Sequence, residues 1–290
     1  MSANATPGRR EKGKTQNRTT FFPRFIAVVL ILLAFVGFLF YLLQPVTFTY
    51  RGMTMEAVPG VAVNRYDPDG FYTDEKGRVQ YTSKGASARA GIDVSYSQGD
   101  IDWAAVAADG VDFAIIRLGY RGYTQGAIQT DSCFYQNIQG ALDAGLDVGV
   151  YFFSQAITPE EARQEADYVL SLLESYPITC PVVYDWEPIT FAEGARTDQL
   201  DHEVLTQCAA AFCQRVAQAG YTPAVYFNQE MGYFSFDLKE LSPFQFWLAE
   251  YDSYPSFYYG FTLWQYTHEG RVDGIQTPVD WNLDFSQLKR

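Results

Sequence analysis

Beyond about residue 90, apolar and polar positions follow two patterns in turn. Short apolar runs of strand length alternate with segments of helical periodicity, which begin at capping residues or end at glycines. The last part of the chain keeps the apolar runs but has little helical periodicity between them. The predicted strands are Gly91–Ser95, Val111–Leu118, Val148–Phe153, Pro181–Glu187, Thr222–Asn228, Gln245–Glu250, Phe261–Tyr266 and Val279–Phe285.

Helices are predicted at 101–108, at 131–144, from Thr158 onward and at 199–219. Thr158 is a favourable N-cap, Pro159 suits the first helical position, and Glu161 would complete a capping box. Five β/α units followed by about three further strands predict an α/β fold with an irregular β/α barrel. An open doubly wound sheet is the alternative. It is disfavoured, together with a nucleotide-binding enzyme, because no glycine-rich dinucleotide or phosphate loop follows the first strand.

The N-terminal part of the chain has a different pattern. Residues 1–24 are polar and basic, whereas residues 25–43 carry no charge. As a helix this run would span about 28 Å at roughly 1.5 Å per residue, which matches a bilayer core. The positive-inside rule then predicts a cytoplasmic tail at 1–24, a single-pass anchor at 25–43 and an external remainder. A cleaved signal peptide is less favoured, because no small-residue cleavage site follows the run.

The external part is predicted to comprise two regions. Residues 44–89 are short-stranded and rich in turns, which predicts a small β-rich spacer before the main domain at 90–290. The formal net charge is −13 although the tail is basic, so the external part is strongly acidic and unsuited to nucleic acid. With two histidines and no Cys-x-x-Cys pair, the sequence predicts no metal and no cofactor. The cysteines permit disulfides whose pairing stays open: Cys133, Cys180, Cys208 and Cys213.

The candidate chemistry lies in the strand that begins at Pro181. Side chains alternate along a strand, so Asp185 and Glu187 share one face while Trp186 points to the other. Their Cα atoms would be about 6.6 Å apart at a rise of roughly 3.3 Å per residue. Repulsion raises the pKa of at least one member of such a pair, which leaves a proton donor beside an anion. Glycoside cleavage requires this combination, although solvated strand ends also carry such pairs.

Seven motifs, each at a predicted strand or strand end, resemble those of the glycoside hydrolase family 25 lysozymes. The resemblance covers about residue 90 to the C-terminus. Its motifs are Gly91–Gln98, Ile101–Trp103, Phe113–Gly119, Val150–Ser154, Tyr184–Glu187, Leu263–Tyr266 and Val279–Asn282.

The resemblance implies a muramidase that hydrolyses the β-1,4 bond between N-acetylmuramic acid and N-acetylglucosamine in peptidoglycan. It implies that Glu187 is the general acid and that Asp185 orients or stabilises the reacting N-acetyl group. Asp93 and Asp280 correspond to two further acids of the site. With the predicted anchor, the expected location is the cell membrane, with the catalytic domain outside and peptidoglycan glycan strands as the partner.

The sequence leaves open which residues line the sugar cleft and whether another function applies. Six residues on or next to the predicted strands are candidates for lining the sugar cleft, although aromatic residues on barrel strands also form the core: Tyr96, Arg117, Tyr151, Tyr226, Trp264 and Gln265. The alternative functions are an anchored cell-wall binding module without turnover and a glycosidase for another N-acetylated polymer. No obligate protein partner is evident.

Overall fold

The computed structural model describes residues 1–2, 21–42 and 44–288. The chain forms two compact units, Met1–Ala57 and Val58–Arg290. The first unit contains helix α1 (Phe21–Leu42) and an antiparallel hairpin of β1 (Thr47–Tyr50) and β2 (Met53–Glu56).

The predicted N-terminal segments are covered only in part. Most of the basic tail predicted at 1–24 and the last residue of the run at 25–43 lie outside the described residues. Within the described part of the chain, no helix combines the length and the apolar character that a membrane span requires. The described side chains of α1, residues 25–40, are all exposed.

The second unit contains a three-stranded sheet followed by the strands and helices of the main domain. The small sheet consists of β3 (Phe71–Thr73), β4 (Val79–Ser83) and β5 (Ala86–Ser87). The further strands are β6 (Arg89–Val94), β7 (Phe113–Arg121), β8 (Ile128–Thr130), β9 (Asp147–Phe153), β10 (Val182–Asp185), β11 (Pro223–Asn228), β12 (Gln245–Ala249), β13 (Leu263–Gly270) and β14 (Val279–Asp284). The helices are α2 (Trp103–Ala108), α3 (Phe134–Asp143), α4 (Pro159–Leu173), α5 (His202–Gln218), α6 (Gln229–Phe234) and α7 (Leu238–Leu241).

The main sheet closes into a barrel of eight strands, so the predicted α/β barrel is confirmed. The order is β6-β14-β13-β12-β11-β10-β9-β7, and a parallel pairing of β6 with β7 completes the ring. All pairs from β6 through β7 to β13 are parallel, whereas β14 runs antiparallel to both β13 and β6. Strand β8 adds to β7 outside the ring.

The barrel is filled by side chains, as the near-continuous apolar runs require. Neighbouring residues Ile115 and Ile116 of β7 are both fully buried, because one faces the interior and the other faces the layer outside. Gly91 on β6 lets the Phe113 ring approach the backbone, since a Cβ at this position would lie 2.4 Å from that ring.

The N-terminus of α4 has the predicted N-cap but not the predicted capping box. The Thr158 hydroxyl accepts a hydrogen bond from the Glu161 N–H at 3.2 Å, as expected of an N-cap. The Glu161 carboxylate, however, accepts from the Ile157 N–H at 3.0 Å and not from that of Thr158. It also pairs with Arg196 at 2.7 Å, so it links the helix to a loop as well as capping it.

Residues 58–88 pack against the barrel, which differs from the predicted spacer at 44–89. Tyr66 stacks on Phe285 with ring centroids 4.2 Å apart, and the ring centroids of Phe71 and Trp264 lie 5.5 Å apart. The chain between β12 and β14 is described throughout and contains no helix. The 58–88 segment therefore covers strands that lack an outer helix, and the compact unit begins at Val58 rather than at residue 90.

Candidate active site

Four acids lie at the end of the barrel where the parallel strands end. Asp93 is the second-last residue of β6, Asp185 is the last residue of β10, and Glu187 follows two residues later. Because β14 is antiparallel to β6, Asp280 near its start pairs directly with Asp93. The carboxyl ends of the strands form the site in other β/α barrels too. We call these four residues the acid cluster.

Asp93 is held by two amide side chains. It is 7% exposed, and its Oδ1 accepts hydrogen bonds from Gln265 Nε2 at 2.9 Å and Asn282 Nδ2 at 2.8 Å. The Gln265 amide is oriented in turn by the hydroxyls of Tyr226 and Tyr251, which donate to its Oε1 at 2.9 and 3.0 Å. Burial and the nearby Asp280 raise the pKa of Asp93, and the two amide donors oppose that rise.

Asp185 is equally buried, but one of its carboxyl oxygens lacks a hydrogen-bond donor among the described residues. It is 5% exposed, and within the described residues no group hydrogen-bonds to its Oδ1. Burial, followed by repulsion from Glu187 and Asp93, raises the pKa of Asp185 well above its ordinary value, while Arg117 opposes the rise. Its backbone carbonyl is fixed by the Ser154 N–H at 2.6 Å. The carboxyl is therefore poorly solvated and able to accept a hydrogen bond from a donor.

The other two acids are partly accessible. Burial and then repulsion from Asp93 raise the pKa of Glu187. Burial and repulsion from Glu187 raise the pKa of Asp280 to about 6, although a backbone hydrogen bond opposes this. These mutual effects show that the four carboxyls share one electrostatic environment. Such a cluster binds protons near neutral pH and can supply an acid and an anion together.

The backbone at Glu187 is anchored by a residue that the sequence analysis missed. Strand β10 ends at Asp185, so Glu187 lies just beyond it and not within the longer strand that was predicted. Gln155, which is fully buried, donates from Nε2 to the Glu187 carbonyl at 3.0 Å and to the Ser154 carbonyl at 2.9 Å. Its Oε1 accepts from the Thr197 hydroxyl at 2.6 Å.

Tyr151 lies next to the acid cluster and close to Arg117. Burial raises the pKa of the Tyr151 phenol, Arg117 opposes the rise, and Asp93, Asp185 and Asp280 add to it. The Arg117 guanidinium is paired with Asp131 at 2.7 Å.

Arg117 and Tyr96 also line a cleft of about 680 Å³ beside the acids. The guanidinium lies over the Tyr96 ring at 4.8 Å and the Tyr120 ring at 5.7 Å. The cleft, here called the aromatic cleft, is lined by Tyr96, Arg117, Tyr120, Arg121, Gly122, Tyr123, Thr124, Gln129, Thr130, Ser132, Phe153 and Phe191.

Tyr226 and Gln265 reach the acids from inside the barrel, but Trp264 does not. Gln265 faces Asp93, and because adjacent strand residues alternate, Trp264 faces outward. It is fully buried, its indole N–H donates to the Glu250 carbonyl at 2.8 Å, and its ring packs on Phe71. The expectation that Trp264 lines the sugar cleft is therefore wrong.

Asn282 and Tyr251 are site residues that the sequence analysis did not select. Asn282 follows Asp280 by two positions on β14, so the period of a strand places both on one face and could have identified it. Its orientation is set by Trp247, whose indole N–H donates to Asn282 Oδ1 at 2.8 Å. Tyr251 follows β12 in a loop, where no periodicity points to it.

Among the residues that the structure describes, no group of three or more His, Cys, Asp or Glu side chains is arranged to hold a metal ion. The cysteines are free thiols.

Comparison with known proteins relates this geometry to a family. The sequence profile of the family described as Glycosyl hydrolases family 25 matches residues 92–275, which is more than half of the chain and includes Asp93, Asp185 and Glu187. Lysozyme M1 of Streptomyces globisporus is 30% identical over 204 residues, which cover 66% of this chain and 66% of that protein. The autolytic lysozyme of Clostridium acetobutylicum is 27% identical over 198 residues, which cover 68% of this chain and 56% of that protein.

A solved structure shows the same architecture. The modular autolysin LytC from Streptococcus pneumoniae superposes with a TM-score of 0.58 at 25% identity, covering 74% of this chain and 52% of that one. The match spans less than two thirds of the length of LytC and of both curated relatives.

Proposed function

The chain belongs to glycosyl hydrolase family 25, and on that premise we propose that it is a muramidase. The reaction is hydrolysis of the β-1,4 bond between N-acetylmuramic acid and N-acetylglucosamine in peptidoglycan. The observation that carries the proposal is the division within the acid cluster. One buried aspartate is hydrogen-bonded by two amides, while another is buried beside a glutamate with an unfilled acceptor atom. The relatives named lysozymes support the same reaction.

Glu187 is the proton donor in this proposal. Burial and then repulsion raise the pKa of both carboxyls of the Asp185–Glu187 pair, which favours retention of a proton on the pair. Glu187 is the more accessible of the two. It can therefore protonate the leaving oxygen of the glycosidic bond, which is the general acid step of glycoside cleavage.

Asp185 stabilises the reacting centre. Its unfilled Oδ1 can accept the N–H of an acetamido group, which the N-acetyl sugars of peptidoglycan carry. Accepting that hydrogen bond favours the ionised form of Asp185 and leaves the proton of the pair on Glu187. Asp93, fixed by Gln265 and Asn282, is a second anion that favours positive charge at the cleaved carbon.

Product analysis tests the activity. The external part of the protein is incubated with purified peptidoglycan, and new reducing ends are identified by reduction and mass spectrometry. A muramidase leaves reduced N-acetylmuramic acid at the new ends. Reduced N-acetylglucosamine, release of fragments from chitin alone, or binding to the wall without new ends would contradict the proposal. The Glu187→Gln variant is the matched control for contaminating hydrolases.

We also propose that the protein is anchored in the cell membrane with its C-terminal part outside. The proposal is supported by the uncharged run at 25–43, the basic residues before it, and the exposed apolar side chains along α1. Protease added to intact cells should remove the catalytic domain from the membrane fraction. Full protection of the domain, or its recovery in the soluble fraction without detergent, would contradict this arrangement.

A further inference from the structure

We infer that the aromatic cleft is a glycan subsite that binds sugar units remote from the cleaved bond and makes turnover depend on strand length. The inference rests on the proposed muramidase function, because it takes the substrate to be a long glycan. It assigns a role to Phe191 and Tyr123, which neither the sequence motifs nor the acid cluster includes.

The cleft lies next to the end of β10, where Asp185 is. Phe153, which lines it, pairs with Asp185 across β9 and β10. Arg117, which also lines it, opposes the rise in the pKa of Asp185 and so lies within electrostatic range of that carboxyl. A polymer that places its cleaved bond at the acid cluster therefore extends into the cleft. Its volume of about 680 Å³ exceeds what a single sugar ring needs.

The lining of the cleft suits the flat faces of sugars. Arg117 lies over the rings of Tyr96 and Tyr120, and the rings of Tyr123 and Phe191 meet edge to face with centroids 5.5 Å apart. Phe191 is 75% exposed. An aromatic ring of this size exposed at the edge of a concave site is typical of a surface that binds an apolar face.

The polar groups of the lining also fit a neutral glycan. Hydroxyl and amide side chains that can bond sugar hydroxyls are part of the lining, and the described lining includes no carboxylate. The arginines of the lining are already ion-paired, Arg117 with Asp131 and Arg121 with Glu165. The cleft therefore offers hydrogen bonds and ring faces and little unpaired charge, which favours sugar rings over the charged peptide stem. The hydroxyl and amide residues of the lining are Thr124, Gln129, Thr130 and Ser132.

One segment connects this cleft to the proton donor. It runs from Glu187 to Thr197, and Gln155 bonds to both ends of it, to the Glu187 carbonyl at 3.0 Å and to Thr197 at 2.6 Å. Phe191 lies within the segment, and the Arg196 N–H donates to the Tyr123 carbonyl at 2.8 Å. A sugar held by Phe191 and Tyr123 thus contacts the same segment that positions Glu187. Binding of a sugar in the cleft can then help to position Glu187, so that it raises kcat as well as lowering KM.

The test compares substrates of different length. Peptide-free glycan strands are fractionated into long strands and tetrasaccharides, and kcat/KM is measured for each with the external part of the protein. The unaltered protein should prefer long strands, and Phe191→Ala should reduce that preference about tenfold, mainly through kcat. Tyr72→Ala is the control, because Tyr72 is 53% exposed but lies on β3 and does not line the cleft. An unchanged preference in Phe191→Ala, or an equal reduction in Tyr72→Ala, would overturn the inference.

A binding measurement separates this inference from the proposed reaction. Calorimetry with Glu187→Gln should show tighter binding of long strands than of tetrasaccharides. Adding Phe191→Ala should lower the ratio of the two affinities about tenfold. If Glu187→Gln binds long strands more tightly but the unaltered protein hydrolyses nothing, the muramidase proposal is refuted and the subsite is kept. If the unaltered protein hydrolyses peptidoglycan but the affinity of Glu187→Gln does not depend on strand length, the subsite is refuted and the muramidase proposal is kept.

Discussion

The two sides of the acid cluster differ in the hydrogen bonds that their buried aspartates accept. On the antiparallel side, where β14 joins β6 and β13, Asp93 accepts two amide hydrogen bonds and those amides are oriented by Tyr226, Tyr251 and Trp247. On the parallel side, at the end of β10, Asp185 has an Oδ1 atom that no described residue bonds. The exposed fractions are 7% and 5%, so burial does not distinguish them.

The two sides differ in what opposes the effect of burial. Hydrogen bonds to a carboxylate favour its charged form, so the amide donors of the antiparallel side oppose the rise in the pKa of Asp93 that burial and Asp280 cause. On the parallel side, desolvation and repulsion favour the neutral form of Asp185, and a ligand that donated to its Oδ1 would favour ionisation. The antiparallel side also lacks outer helices and depends on residues 58–88 for its covering.

The largest effect is expected on the parallel side. Glu187→Gln removes the transferable proton, and loss of general acid catalysis costs about 10²–10⁴ in rate on peptidoglycan. An aryl glycoside with a good leaving group needs little protonation, so this variant should keep much of its activity there. Asp185→Asn should be poor on both substrates, because it removes the stabilising charge. Equal losses for the two variants on both substrates would mean that the acid is assigned wrongly.

A smaller effect is expected when the antiparallel side loses an amide donor. Asn282→Leu removes one hydrogen bond to Asp93, and such bonds to charged groups are worth about 1.5–3 kcal/mol, or about 10–100-fold in kcat/KM. Loss of the donor raises the pKa of Asp93 further, so the acidic limb of the pH–rate profile should move to higher pH. Tyr251→Phe, which affects Asp93 only through Gln265, is the control and should move the limb less. An unshifted limb in Asn282→Leu would show that Asp93 is not the required anion.

The contribution of residues 58–88, which cover the antiparallel side, can be tested by measuring the free energy of unfolding. Phe71 is partly buried and contacts Trp264, Tyr81 and Phe285, so Phe71→Ala should lower the free energy of unfolding by about 2 kcal/mol. Tyr72→Ala, at the exposed neighbouring position, should change it by less than about 0.5 kcal/mol. Urea denaturation of the compact unit Val58–Arg290 measures both. Equal stability of the two variants would mean that the 58–88 segment does not support the barrel.

The smallest effect concerns acid stability. Burial opposes ionisation of Asp109, but hydrogen bonds from Lys76, the Asp273 N–H and Arg78 lower its pKa to about 2. A lowered pKa in the folded state adds stability above the unfolded pKa of about 3.9, and this stability is lost as pH falls toward 2. Asp109→Asn should therefore flatten the fall in Tm between about pH 4 and pH 2. A slope identical to that of the unaltered protein would exclude this contribution from the contacts of the turn between β3 and β4.

Most of the barrel could be predicted from sequence because its signals are local. The run Val148–Phe153 predicted a strand that the structure extends by one residue, to Asp147–Phe153. It follows Gly145, whose φ of 81° ends the preceding helical segment. The convergence of the acids also followed from strand ends in a barrel, since Asp93, Asp185 and Glu187 lie at the ends of parallel strands.

The sequence-based predictions failed where contacts between distant parts of the chain determine which way a side chain faces or what a segment packs against. The run Phe261–Tyr266 is apolar on both faces, so its pattern could not show that Gln265 faces the acids and Trp264 faces Phe71. The covering role of residues 58–88 depends on rings that pack across nearly two hundred positions of sequence, such as Tyr66 on Phe261. The Gln155 contacts depend on a loop whose course only the fold determines.

The position of β14 sets the order in which the enzyme can become competent. This strand comes last in the chain, yet it lies between β6, the first strand of the barrel, and β13. A chain that has not yet added β14 has no Asp280 and no Asn282 donor to Asp93, and it exposes the edges of β6 and β13, which favour aggregation. The complete acid cluster therefore forms only after the last strand of the barrel has been added, and a chain truncated before β14 would lack part of the proposed site.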